Sequence, residues 1–99
     1  MTNSDPLLPA PKSLAIGVMT VCDRFNDLVG TYERMMGVKL VIPRELLSDQ
    51  VRFLHFVDRL NSRDIRYRES ELKSMKAIAQ WTLEVNAKLR NQPCPKVEL

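Results

Sequence analysis

The chain has 99 residues, enough for one small domain with a single core. An apolar share of 44% and a charged share of 27% exclude a disordered class, and only three glycines argue against a sheet with tight turns. Fifteen basic and twelve acidic residues give a net charge of +3, whose location matters more than its size. This composition favours a few long helices joined by brief connections.

The two ends of the chain are predicted to lie outside the helical domain. Residues 1–12 contain several prolines and no hydrophobic period, which is typical of an extended or flexible arm. Residues 13–92 are predicted to form one helical domain. Residues 93–99, which begin with Pro93, are predicted to form a flexible tail.

The first predicted helix follows Ser13, a residue type that often caps a helix N-terminus. Its apolar residues recur in steps of three and four and widen into a broad stripe, which is typical of a helix that touches two neighbours. Gly37 is predicted to end the helix in a left-handed conformation. The residues of the stripe are Leu14, Val18, Val21, Phe25, Leu28, Tyr32 and Met35, with Ala15, Cys22, Val29 and Met36 beside them.

The second predicted helix runs over about residues 43–62, with Pro43 as its first residue. Its apolar residues spread over an arc of about 220°, whereas a surface helix shows a stripe of little more than about 100°. One neighbour inside the domain does not cover such an arc, so we expect self-association, most simply as a twofold dimer. The residues predicted to carry self-association are Leu47, Val51, Leu54 and Phe56.

The third predicted helix covers about residues 69–91. Acidic residues in its first turn and basic residues in its last turn agree with the helix dipole. Trp81 lies on the flank of its inner face, where it either fills the core or contacts a partner. We include Trp81 among the candidate partner-binding residues.

The net positive charge is concentrated between Arg59 and Lys76. Four arginines of this window are predicted to bind a partner, namely Arg59, Arg63, Arg66 and Arg68. Two partners stay open, an acidic protein surface and the phosphates of a nucleic acid. Three acidic residues lie within the same window and favour the protein, because they repel a phosphate backbone.

No residue pattern predicts a catalytic, metal-binding or cofactor-binding site. The single histidine, His55, falls on the polar face of the second helix without further ligands at a matching spacing. Carboxylate pairs such as Asp23 and Asp27 lie on solvent-facing surfaces, and no phosphate-binding glycine loop is present. The chain is therefore predicted not to be an enzyme and to need no cofactor and no metal.

The sequence predicts an all-α fold, a three-helix antiparallel bundle with an extended N-terminal arm, as a homodimer. Cys22 and Cys94 are expected to be unrelated thiols, which indicates the cytoplasm, and the apolar run at 14–22 is too short for a membrane helix. The predicted function is a small non-catalytic protein-binding module: an adaptor, an accessory subunit or an inhibitor of a larger protein machine. The alternative is a small nucleic-acid-binding regulator that uses residues 59–76.

Overall fold

The computed structural model of the chain describes residues 5–93. Within them lie three α-helices, α1 at Lys12–Met36, α2 at Leu47–Asn61 and α3 at Glu69–Leu89. A 3₁₀-helix at Arg44–Leu46 immediately precedes α2. The prediction of a mostly helical chain with three helices is therefore confirmed.

A pair of two-residue strands joins the segment before α1 to the segment before α3. Strand β1 (Leu8–Pro9) runs antiparallel to strand β2 (Arg66–Tyr67). Beside them, the backbone N–H of Ala10 donates to the carbonyl of Ile65 at 3.1 Å. The sequence did not predict this pairing, because strands of two residues are too short to show a hydrophobic period.

The predicted arm at 1–12 lies partly in β1, and its last residue, Lys12, is already helical. Residues 1–4 of the arm and residues 94–99 of the predicted tail, with Cys94, lie outside the described residues. The flexibility expected of both segments stays a prediction.

The ends of α1 follow from two backbone features. The helix begins after Pro11, which is extended and whose carbonyl accepts the N–H of Leu14 at 3.0 Å, so the cap predicted at Ser13 is wrong. At the other end, Gly37 has φ +70°, and its N–H donates to the carbonyl of Glu33 at 3.0 Å. The left-handed stop predicted at Gly37 is confirmed.

The α2 helix is shorter than predicted. Pro43 is extended, with φ −56° and ψ 145°, and the chain passes through the 3₁₀-helix before α2 begins at Leu47. The carbonyl of Pro43 accepts the N–H of Leu46 at 2.9 Å, which closes that tighter turn. The α-helix therefore presents 15 residues rather than about twenty.

The hydrophobic core lies where α3 packs against both α1 and α2. Phe56 and Met75 are fully enclosed, and burying a side chain of that size contributes about 1.5–3 kcal/mol relative to leaving it in water. Because α3 is the shared neighbour, side chains of α1 and α2 that face away from it stay at the surface. The buried core residues are Val18, Val21, Phe53, Phe56, Met75, Ile78 and Ala79.

The apolar stripe predicted on α1 is buried in its middle and open at its end. Val18, Val21 and Leu28 are buried, as expected from the spacing. Met35 and Met36 were predicted on the same inner face, but they are 59% and 54% exposed. That part of the prediction is wrong, because the last turn of α1 borders an open cleft against α3 instead of closing on it.

Candidate functional site

The predicted basic window contains an arginine that serves the fold. Arg59, at the end of α2, donates through its guanidinium to the buried carboxylate of Glu71 in α3, and to the carbonyl of Arg66 at 3.2 Å. The same guanidinium lies over the ring of Phe56, 5.7 Å from its centroid. Glu71 also accepts the backbone N–H of Arg68 at 2.8 Å. Arg59 thus connects α2 to β2 and α3, and its guanidinium is largely occupied by contacts within the chain.

Two more of the predicted partner-binding arginines bind groups of their own chain. Arg66 donates two hydrogen bonds to the carboxylate of Asp64, at 2.7 and 2.8 Å. These bonds lower the pKa of Asp64 and raise the pKa of Arg66. Arg68 donates to the backbone carbonyl of Asp5 at 2.7 Å. Among residues 5–93, Arg63 is the predicted arginine whose side chain is exposed and forms no hydrogen bond or ion pair, although its backbone N–H donates to the carbonyl of Leu60 at 2.9 Å.

Asp5 fixes the N-terminal segment to the beginning of α3. Its carboxylate accepts the hydroxyl of Ser70 at 2.6 Å and the backbone N–H of Ser70 at 3.3 Å. The hydroxyl bond is the main reason that the pKa of Asp5 is lowered. A carboxylate at a helix N-terminus is also favoured by the helix dipole. The basic window is therefore partly covered by the segment that precedes α1.

Groups of large apolar side chains remain exposed on three parts of the surface, and Ile65 is exposed by itself just before β2. One part is the N-terminal half of α1, the second is the end of α1 with the segment that follows it, and the third is the outer face of α2. Single exposed apolar residues are common, but groups of them mark interaction surfaces. The exposed residues of the three parts are, in that order, Ile16 and Met19; Met35, Met36, Val38 and Val41; and Leu47, Val51 and Leu54.

The second of these parts borders a cleft of about 500 Å³ between α1 and α3, which we call the Trp81 cleft. Trp81 forms part of its wall and packs on Phe25, with the ring centroids 6.2 Å apart. One charged residue, the exposed Lys88, lines the cleft. The full lining is Tyr32, Met35, Met36, Leu40, Val41, Trp81, Val85, Lys88 and Leu89.

A smaller apolar cleft of about 220 Å³ lies where α1 and α2 meet over α3. We call it the Phe53 cleft. Ile42 closes one side, so the segment between α1 and α2 borders both apolar clefts. The lining is Cys22, Phe25, Asn26, Ile42, Gln50, Phe53, Leu54 and Ile78. Burial raises the pKa of the Cys22 thiol, and the neighbouring carboxylate of Asp23 raises it further.

The structure separates the four residues predicted for self-association into two sets. Leu47, Val51 and Leu54 are about half exposed on the outer face of α2. Phe56 is fully buried and packs on Tyr67, with the ring centroids 6.5 Å apart. Phe56 is therefore removed from the candidate surface, because it belongs to the part of the apolar arc that α3 already covers.

The structure adds candidate residues that the sequence did not indicate. Met35 and Met36 were predicted on the inner face of the first helix, and Val41 was not among the predicted site residues. The available signal was an apolar segment at 38–42 with no helical period and few obvious neighbours to bury it. The sequence did name Trp81, whose side chain is half-buried in the wall of the cleft.

Among residues 5–93, no group of three or more histidine, cysteine, aspartate or glutamate side chains is arranged to hold a metal ion. His55 is exposed on α2. None of the helices between residues 5 and 93 combines the length and the hydropathy of a membrane-spanning segment.

No protein-family model matches the chain, and neither a curated protein nor a solved structure is significantly similar to it. The function of the chain is therefore inferred from the chemistry of its own surfaces.

Proposed function

We propose that the chain is a small, non-catalytic, cytoplasmic protein-binding module: an adaptor, accessory subunit or inhibitor of a larger protein machine. In this proposal the three helices form an antiparallel bundle, and two copies form a homodimer. The observation that supports partner binding best is the open Trp81 cleft with exposed methionines and Val41 at its rim.

The lining of the Trp81 cleft favours a protein partner over a small molecule. Small-molecule sites place several polar groups so that they orient the ligand, whereas this lining is almost entirely aliphatic and aromatic. Methionine side chains such as Met35 and Met36 adapt to different apolar surfaces because they are unbranched and flexible. An apolar wall with a tryptophan is also typical of the centre of a protein interface.

We propose the apolar face of an amphipathic helix as the occupant of the Trp81 cleft. The cleft lies between two helices, an arrangement into which a third helix fits by its apolar face. Lys88 is exposed at the wall and would attract an acidic residue on the flank of the incoming helix.

Binding to nucleic acid remains the alternative, and the geometry supports it less. Arg59, Arg66 and Arg68 already bind Glu71, Asp64 and the backbone of Asp5, so phosphate contacts would compete with internal ones. If nucleic acid is the partner, its affinity falls steeply with salt, and replacing Arg63, Arg66 and Arg68 together flattens that dependence.

The proposal is tested with the tagged chain and two charge variants. Proteins retained from a lysate of the source organism by the unaltered chain are compared with those retained by Val41→Asp and by Ile16→Asp. Ile16 is also largely exposed, at 62% against 78% for Val41, but it lies away from the Trp81 cleft. We expect a specific partner that is retained by the Ile16→Asp chain and is not retained by the Val41→Asp chain.

The fluorescence of Trp81, the single tryptophan of the chain, provides a direct readout once such a partner is purified. An occupied cleft removes water from the indole, so we expect the emission to shift to shorter wavelength on binding. Unchanged emission at saturating partner, or equal retention by all three chains, would exclude the Trp81 cleft as the binding surface.

A further inference from the structure

The outer face of α2 carries an apolar stripe with the spacing of a helix-pairing seam. Leu47, Val51 and Leu54 follow each other in steps of four and three, and their exposed fractions are 48%, 52% and 49%. Steps of four and three align side chains along one side of a helix, as in the seam of a coiled coil. We call these three residues the α2 stripe.

Opposite charges lie at the two ends of the α2 stripe. Arg44 is seven residues before Val51, and Asp58 is seven residues after it. Successive residues turn by about 100° in an α-helix and by about 120° in a 3₁₀ turn. Arg44 and Asp58 therefore both lie within about 40° of Val51 around the helix axis. Both side chains are exposed, and neither forms a hydrogen bond or ion pair with another residue between 5 and 93.

We infer that the α2 stripe binds the α2 stripe of a second copy, with the helices antiparallel and a twofold axis at Val51. This inference rests on the proposed homodimer and specifies its geometry. A twofold axis there places the residue n positions before Val51 level with the residue n positions after it on the other copy. Val51 then meets Val51, and Leu47, four residues before it, lies about one residue (about 1.5 Å) from the level of Leu54 of the other copy, three residues after it.

The charges distinguish the antiparallel pairing from a parallel one. In the antiparallel pair, Arg44 of each copy lies level with Asp58 of the other, which gives two attractive pairs. In a parallel twofold pair, Arg44 meets Arg44 and Asp58 meets Asp58, so both ends repel. Complementary charges beside an apolar seam set the orientation of helix pairs in this way.

The surroundings of the stripe fit the same arrangement. Leu54 also lines the Phe53 cleft, so Leu47 of the other copy lies at the rim of an apolar cavity rather than in water. Arg52, on the side of the stripe, donates to the hydroxyl of Ser74 at 3.5 Å and lies 3.7 Å from the carboxylate of Asp49. Its charge is thereby directed toward its own chain.

The size of the face indicates a weak dimer. An α-helix of this length extends about 22 Å, so two of them bury less than the roughly 800 Å² per partner of a standard interface. We therefore expect a dissociation constant of the order of 10–100 µM.

The experiment is a charge swap, measured by sedimentation equilibrium at low salt over a range of protein concentrations. We expect Arg44→Asp and Asp58→Arg each to weaken self-association by about tenfold, because two attractions become two repulsions. Mixing the two variants creates a pair with both contacts attractive, so association of the mixture returns to the level of the unaltered chain. The double variant in one chain is expected to recover in the same way.

Two matched controls carry the same charge changes elsewhere. Arg24→Asp and Asp23→Arg alter exposed side chains of α1 that lie outside the α2 stripe, and we expect them to leave association unchanged. Circular dichroism of each variant establishes that the helices are intact.

Three outcomes would overturn the inference. The unaltered chain could stay monomeric at millimolar concentration, or the single variants could associate as tightly as the unaltered chain. The third outcome is a mixture of the two single variants that does not recover the association of the unaltered chain. None of them affects partner binding at the Trp81 cleft, which is read separately from the Trp81 emission. A monomer that still binds a partner would remove the dimer and leave the proposed protein-binding function in place.

Discussion

Arg59 and Glu71 form an ion pair that joins the end of α2 to the first turn of α3. The side chain of Glu71 is 3% exposed and that of Arg59 is 19% exposed, so the carboxylate is the more costly group to leave without its partner. Glu71 also caps α3 by accepting the N–H of Arg68. The pair therefore lies at the point where α2, β2 and α3 meet.

We predict that Arg59→Ala lowers the free energy of unfolding by about 3 kcal/mol, because it leaves a buried carboxylate without its counter-charge. The double variant with Glu71→Ala should lose less than the sum of the two single changes. Urea unfolding measures both effects. Arg24→Ala, at an exposed site in α1, is the control and should change stability by about 0.5 kcal/mol or less. An equally small effect at Arg59 would mean that the ion pair does not stabilise the fold.

The sequence predicted Arg59 as a partner-binding residue and could not show that it binds Glu71 of its own chain. Glu71 is twelve residues away, and only the turn through β2 brings the two side chains together. Periodicity predicts which face of a helix is apolar, whereas an ion pair between elements depends on how the connecting segment folds. For this reason the basic window suggested an exposed patch, and the structure shows mostly internal bonds there.

We predict that the contact between the N-terminal segment and α3 depends on pH through Asp5. The pKa of Asp5 is lowered in the folded chain, so its contribution is fully present above the ordinary value of about 3.9 and is lost as the pH falls through the folded pKa. Amide exchange at Ala10, which is bonded to the carbonyl of Ile65, reports the contact. We expect its protection to decrease below about pH 4.

Two serine variants test the origin of that pH dependence. Ser70→Ala removes the hydroxyl that donates to Asp5, so protection at Ala10 should already be reduced at pH 7. Ser62→Ala, at an exposed position outside this contact, should leave it unchanged. Identical protection in both variants would show that the bond between Asp5 and Ser70 does not hold the segment.

We predict different costs for two residues that share one sequence pattern. Leu28→Ala should destabilise the chain by about 2–5 kcal/mol, because Leu28 is buried and the deletion leaves a cavity. Met35→Ala should cost about 0.5 kcal/mol or less, because its side chain is largely in water. Equal losses of stability in urea unfolding would contradict the burial of one and the exposure of the other.

The same two residues show where the α1 prediction reached its limit. The spacing established which side of the helix is apolar, and Leu28 follows it. The spacing of apolar residues does not show how far α3 extends along that side, so Met35, at the end of the helix, was predicted to be buried. The Trp81 cleft was missed for this reason, although an apolar helix end next to the apolar segment 38–42 was visible in the sequence.

We predict that Cys22 reacts slowly with thiol reagents. Its pKa is raised by burial and by the carboxylate of Asp23, so less thiolate is present near neutral pH. In a Cys94→Ser chain, alkylation of Cys22 by iodoacetamide at about pH 8 should be slower in the folded chain than in the same chain in denaturant. Asp23→Asn removes the nearby negative charge, so alkylation of Cys22 in the folded chain should become slightly faster. Equal rates in the folded and denatured chains would show that the thiol is not protected.

The same substitution at two glycines of α1 should change stability in opposite directions. Gly30 lies inside the helix, and an added Cβ would approach Nη1 of Arg34 at 3.3 Å, the end of a flexible side chain that can move aside. Alanine also restricts the unfolded chain more than glycine does, so Gly30→Ala should stabilise the protein by about 0.5–1 kcal/mol. Gly37 has no atom within 4 Å of the added Cβ, yet its φ of +70° strains any L residue, so Gly37→Ala should destabilise by about 1 kcal/mol. Thermal and urea unfolding of both variants measure the difference. A stabilising Gly37→Ala would show that α1 does not end in a left-handed turn at Gly37, and a destabilising Gly30→Ala would show that Arg34 does not move aside.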